Sequence, residues 1–210
     1  MDKPRPAAHH ASMDSNRTNH SIAEAARRII SFVEGLERLK SETRHAWTST
    51  GRHESIAEHS WRVAMFALAL GPEVPEVDME RVVRILLVHD LGEALEGDVS
   101  AKHEVAPPEE KLRREEEAMR VLLEPLDESA AQMIMALWRE YNEGATGEAR
   151  IAKALDKLET IIQHNQGANP GDFDYEFNLQ YGTAAGETGG VLGAIRAEVD
   201  RITGERAAGS

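Results

Sequence analysis

The segment VVRILLVHDLGEALEG, residues 82–97, constrains the 210-residue chain more than any other. Its centre, Ile85 to Val88, is apolar almost all round a helical projection, which predicts a helix buried within the core. His89 and Asp90 end that apolar run. Two ionisable groups there are costly unless they pair or coordinate a metal. The dipeptide alone leaves both readings open. Glu93 follows one helical turn after His89, on the same face, and Asp98 comes after a Gly-containing turn. Such a concentration of carboxylates is disfavoured by like-charge repulsion unless a cation neutralises it.

Helical periodicity dominates the rest. Ser21 and Glu24 form a capping box before a stripe of Ile22, Ala25, Ile29, Ile30, Val33, Leu36 and Leu39. Ser55 caps a second helix with Glu58 three residues on, ended by Gly71-Pro72. Asp78 opens the third, which is read as continuous through the segment above. Pro107-Pro108 starts a fourth, residues 127–143 form a fifth, Glu148 to Gln163 a sixth, and Gly189 to about Ile202 the last. The stretch GANPGDFDYEFNLQYG reads as a loop or short helices. No run alternates convincingly with period two, so no sheet is expected. The fold class is all-α: a single helical bundle over residues 21–203, between a disordered arm, 1–20, and a flexible tail, 204–210.

Composition limits the chemistry. There is no cysteine, so a metal must be bound by nitrogen and oxygen. No apolar run approaches the roughly 20 residues of a membrane span, and the N-terminus lacks the apolar region of a signal peptide; cytoplasm is the default, with no membrane partner. With 37 acidic against 24 basic residues the formal net charge is −13, which argues against a nucleic-acid duplex as partner. A small anion remains admissible, because a metal and a few cations can make one pocket locally positive.

His59, just inside the second helix, and Asp156, at the edge of the apolar pattern IAKALDKLETII, complete a set with His89 and Asp90. Two imidazoles and two carboxylates from three helices suit one divalent ion among Mn, Co, Fe, Ni, Mg and Zn.

These residues resemble the ligand set of the HD-domain phosphohydrolase superfamily. The surrounding motifs SIAEHSWRVA, LLVHDLGEALEGDVS, KLRREEEAM, ALWREYNEG and AKALDKLETIIQ resemble its 5'-deoxynucleotidase group, from about Glu34 to Gln166. The resemblance implies a metal-dependent phosphomonoester hydrolase acting on (deoxy)nucleoside 5'-monophosphates, with a single divalent metal on His59, His89, Asp90 and Asp156. It makes Glu93 the residue that orients or deprotonates water, Asp98 a second active-site carboxylate and Arg44 a phosphate-binding cation. In some relatives a tryptophan follows that arginine directly and packs near the sugar. Here His45 and Ala46 intervene before Trp47, whose alternatives are sugar contact and core packing. Arg52, His53 and Lys102 are further cations to place; His103 and His164 are to be weighed for a second metal. A homodimer is implied by the resemblance and suggested by the apolar face Met133, Ile134, Leu137 and Trp138, which serves equally as core. The alternatives are an HD-type phosphodiesterase or di-iron oxygenase, and a non-catalytic nucleotide-binding or dimerisation module.

Overall fold

The computed structural model describes residues 9–96, 107–183 and 189–209. In chain order these form α1 (His9–Gly35), α2 (Arg38–Ser41), β1 (Thr43–Trp47), β2 (His53–Ser55), α3 (Ile56–Leu70), α4 (Met79–Val88), α5 (Glu93–Glu96), α6 (Pro108–Leu123), α7 (Glu128–Glu143), α8 (Gly147–Gln166), α9 (Tyr175–Gln180) and α10 (Gly190–Ala208). A 3-10 turn, Gly71–Glu73, follows α3.

The helix starts read from sequence are stabilised as capping chemistry requires. Asp78, Asp127 and Thr146 each accept a hydrogen bond from the backbone N–H three residues on, satisfying a donor that an uncapped helix leaves orphaned. Gly144 ends α7 in the left-handed conformation. Helices α3, α4 and α8 pack on one another, with α7 against α4 and α8. Ile56, Val63, Ile85, Leu86, Leu155 and Leu158 are wholly removed from solvent between them.

Four expectations are corrected. The segment after Val88 is not one helix: the chain turns through His89–Gly92 before α5. Gly92 sits against α6 so closely that a Cβ there would lie 3.0 Å from the Glu115 carbonyl oxygen, and this approach takes the chain off the α4 axis. There is a sheet among the described residues, an antiparallel hairpin of β1 and β2 with Trp47 opposite His53. Its strands are too short to show alternation. Helix α1 begins at His9, inside the arm, because extending an existing helix is far cheaper than nucleating one. Of the apolar stripe, Ile22, Ile29, Ile30 and Val33 are exposed, while Leu36, just after α1, packs against the core and Leu39 of α2 is part of it. Finally, α10 continues through the expected tail to Ala208, on good helix formers and with Arg206 donating to the Gly167 carbonyl at 2.9 Å. The apolar face of α7 is core at Leu137 and Trp138, with Met133 exposed.

One ion pair ties the frame together. Arg81 of α4 donates from Nε and Nη2 to the Glu140 carboxylate of α7 at 3.1 and 2.5 Å, and Thr146, the cap of α8, donates to the same group at 2.7 Å. Chiefly the Arg81 hydrogen bond holds the Glu140 carboxyl below its ordinary range. A depressed folded-state value stabilises above the unfolded value, about 4.3, and the contribution fades as the pH falls through that region. Because Arg81 is half exposed, Glu140→Gln should cost about 1 kcal/mol at pH 7. Denaturant midpoints measured against pH should show the gap to the unaltered protein closing below about pH 4.

Candidate metal centre and cleft

The capping box at the start of α3 sets the first candidate ligand. Ser55 Oγ accepts from the Glu58 N–H at 3.2 Å and Glu58 accepts from the Ser55 N–H at 2.9 Å, so His59 enters in the first turn, fully buried. His89 is the C-cap of α4, Asp90 follows it in the turn, and Asp156 projects from the middle of α8.

The structure brings all four to one point. His59 Nε2 lies 3.2 Å from Asp156 Oδ1 and 3.7 Å from Asp90 Oδ2; His89 Nε2 lies 3.2 Å from Asp90 Oδ2 and 3.9 Å from Asp156 Oδ1. Ligand atoms of His59, His89 and Asp156 all fall within 4.8 Å of one another. The opposite ring nitrogens are committed elsewhere. His59 Nδ1 meets Glu159 Oε2 at 2.5 Å, and His89 Nδ1 donates to the Leu86 carbonyl at 2.7 Å. Each outer partner holds the Nδ1 proton, so that a cation at the shared point would displace any proton on Nε2 and meet its lone pair. Both Nε2 atoms are buried without a hydrogen-bond partner among the described residues, a costly state that a cation at that point relieves. The donor set fits a divalent ion.

Electrostatics follow from this crowding. Burial and the Arg44 charge push the His59 ring down, but the Asp156 and Glu159 carboxylates beside it prevail and raise it to about 9. Burial raises Asp90 and Asp156, yet His89 beside the first, and Lys157 with His59 beside the second, keep both carboxyls well below the usual range. Glu54 is pushed up to about 6 by burial and by Glu159, against the opposing pull of Arg44.

His89, Asp90 and Asp156 of the centre line a cleft of about 440 Å³, together with Arg44, Lys111, Lys157, Leu112, Phe177 and Tyr181. Glu93 lines it too, buried at the start of α5 with Lys111 Nζ 3.9 Å away. The carboxylate stands near His89 through the turn, not along one helix face as expected. Arg44 reaches the cleft from β1 and donates to Thr160 Oγ1 at 2.9 Å. Trp47 does not line it: the indole packs 4.7 Å from the ring of His53, its cross-strand partner, and 6.0 Å from Phe173. Arg52 pairs with Glu58 outside the cleft, and His53 donates to the Arg44 carbonyl. His164 lines the cleft with Nδ1 donating to Asn178 at 3.0 Å. Asp98, Lys102 and His103 lie outside the described residues.

Sequence reasoning missed four neighbours. Glu159, 1% exposed, is the outer partner of His59; a glutamate between Leu158 and Ile161, one turn after Asp156, was the available signal. Tyr141 donates to Asp156 Oδ2 at 2.6 Å and Lys157 Nζ approaches the same oxygen at 3.0 Å, which leaves Oδ1 to the centre. Glu54, 3% exposed, was hidden in a polar loop pattern.

A helical bundle that turns two buried imidazoles and two carboxylates onto one point, at a cleft that three cations also line, defines a metal-dependent phosphohydrolase. The chain belongs to the HD-domain family, whose HD domain matches residues 36–195. It is 36% identical over 143 residues to the 5'-deoxynucleotidase HDDC2 of Bos taurus, covering 67% of this chain and 68% of that one. It is 37% identical over 141 residues to the 5'-deoxynucleotidase hdd1 of Schizosaccharomyces pombe, covering 64% and 70%. Among solved structures, a "predicted metal-dependent phosphohydrolase" from Magnetospirillum magnetotacticum MS-1 superposes with a TM-score of 0.71 at 27% identity, over 88% of this chain and 96% of that one.

Outer partners of metal-bound histidines carry a measurable share of affinity. Glu159→Gln keeps the shape and removes the charge behind His59. It should weaken Mn²⁺ binding about 10- to 100-fold in competition with a chelator, with the fold retained by circular dichroism.

Proposed function

We propose that the protein is a 5'-deoxynucleotidase: it hydrolyses (deoxy)nucleoside 5'-monophosphates to nucleoside and phosphate using one divalent metal. The observation that carries this is the pair of buried Nε2 atoms set with Asp90 and Asp156 at a cleft that Arg44, Lys111 and Lys157 also line. The names of the relatives at 36% and 37% identity support the substrate class. The cleft volume, about 440 Å³, falls in the range that takes a small ligand.

His59, His89, Asp90 and Asp156 hold the metal, drawn from Mn, Co, Fe, Ni, Mg and Zn. When bound it polarises the phosphoryl group and makes a water acidic enough to attack near neutrality. Arg44 offers a planar fork to phosphate oxygens. Glu93 accepts the proton of the attacking water as its oxygen bonds to phosphorus and the bond from phosphorus to O5' breaks. The nucleoside leaves as its 5'-alcohol after taking up a proton. Asp98 is the second carboxylate of this scheme on sequence grounds. Leu112, Phe177 and Tyr181 provide the apolar wall for the base. With Trp47 packed on the hairpin, sugar discrimination belongs to other residues.

The enzyme works as a homodimer in this reading. Ile22, Ile29, Ile30 and Val33 of α1, with Trp61, Met65 and Leu68 of α3, leave apolar side chains exposed, a pattern that marks association surfaces. No helix among the described residues is long and apolar enough to cross a membrane.

Phosphate release should be measured from dAMP, dGMP, dTMP, AMP and a generic phenyl phosphate, with Mn²⁺, Co²⁺ or EDTA. Release from nucleotides that EDTA abolishes is expected; no release with any metal overturns the proposal. Asp90→Ala should lose both metal and turnover. Glu93→Ala should keep the metal and lose about 10²- to 10⁴-fold in rate. Light scattering should give the mass of two chains, and Trp61→Glu with Ile29→Glu should give that of one.

A further inference from the structure

Arg44 is the cation that the sequence pattern assigns to phosphate, yet its guanidinium already balances buried charge. Nη1 stands 3.7 Å from carboxylate oxygens of both Glu54 and Glu159, and Nη2 donates to Thr160. Lys157 stands elsewhere. Its Nζ lies 3.0 Å from Asp156 Oδ2, on the carboxylate whose other oxygen faces the two histidine nitrogens. The side chain is 37% exposed and lines the cleft.

Two features hold this ammonium in place. Gly182 adopts φ +65° against the lysine stem, and a Cβ there would come within 2.5 Å of Lys157 Cβ. The ammonium sits 5.1 Å from the Tyr181 ring centroid. Asp156 and the Tyr181 ring thus flank the ammonium, whose three donors include one to turn toward an anion in the cleft that it lines. A phosphomonoester entering past Asp90, Glu93 and Asp156 meets concentrated negative charge, and a fixed cation next to the metal ligands offsets it.

We propose that Lys157 is a substrate-binding residue that receives the phosphoryl oxygens beside the metal centre, with Asp156 bridging lysine and metal. The proposal rests on the reading of the cleft as a phosphate site, and it makes this lysine, beyond Arg44, the group that reads the anion.

The test is calorimetric titration of inorganic phosphate into the Mn²⁺-loaded protein and two variants. Lys157→Met keeps the stem and removes the charge; Lys157→Arg keeps the charge. Lys157→Met should weaken phosphate at least about tenfold and Lys157→Arg less than about threefold. Mn²⁺ affinity, from chelator competition without phosphate, should change less than about threefold in both. Gly182→Ala, which displaces the stem, should also weaken phosphate. Unaltered phosphate affinity in Lys157→Met overturns the proposal. So does a loss of Mn²⁺ affinity in the same proportion, since the lysine would then act only by positioning Asp156. Absence of phosphate binding in the unaltered protein overturns it as well. Phosphate binding that depends on Lys157 in a protein that releases no phosphate from nucleotides sinks the nucleotidase reading and leaves this inference standing.

Discussion

Burying His59, with Nδ1 bound to Glu159 and Nε2 turned to the shared point, is the constraint around which the bundle is arranged. An imidazole fully out of water needs a partner on each side. One side is met by Glu159, itself buried and in need of cations, which Arg44 and Arg62 supply at 3.7 and 3.3 Å. The other side opens on the shared point with His89, Asp90 and Asp156. Every element near the centre satisfies one of these demands: the capping box that turns His59 inward, the hairpin that delivers Arg44, and α8, which carries Asp156 and Glu159 one turn apart. The site and the core are thus one polar network enclosed by apolar helices.

That network explains how a strongly acidic protein can host an anionic substrate. Many surface charges cancel in pairs on solvated helix faces, as in Arg113–Glu110 and Arg201–Glu198, and the overall charge says little about the cleft. There, Arg44, Lys111 and Lys157 come from β1, α6 and α8, widely separated in the chain. Their convergence depends on how the helices cross, and local sequence cannot show it.

The four positions that meet at the centre stand out in the sequence because each breaks a local rule: an ionisable pair ending an apolar helix, a histidine in a first turn, an aspartate within an apolar stripe. Glu159 breaks the same rule but was passed over, since a glutamate near a helix surface is ordinary and its burial depends on what packs above it. Trp47 shows the converse. Sequence placed an aromatic close to a cation in one loop, but pairing with β2 decides which side of the strand it occupies. Ile22, Ile29, Ile30 and Val33 have the periodicity of a core face without a core to cover, for periodicity reports amphipathicity and not the identity of the partner. The break at Gly92 was invisible for a related reason: Leu91, Ala94 and Leu95 keep a helical rhythm across a turn imposed by Glu115 of α6.

The termination of α4 at His89 has a consequence for the field at the centre. Peptide dipoles along a helix sum to about half a negative charge at its carboxyl end, and α4 ends where its last residues meet the ligands. The backbone therefore contributes attraction for a cation before any side chain is counted. Continuing α4 through Gly92 would carry that pole past the histidines, so the glycine preserves an electrostatic focus as well as a bend.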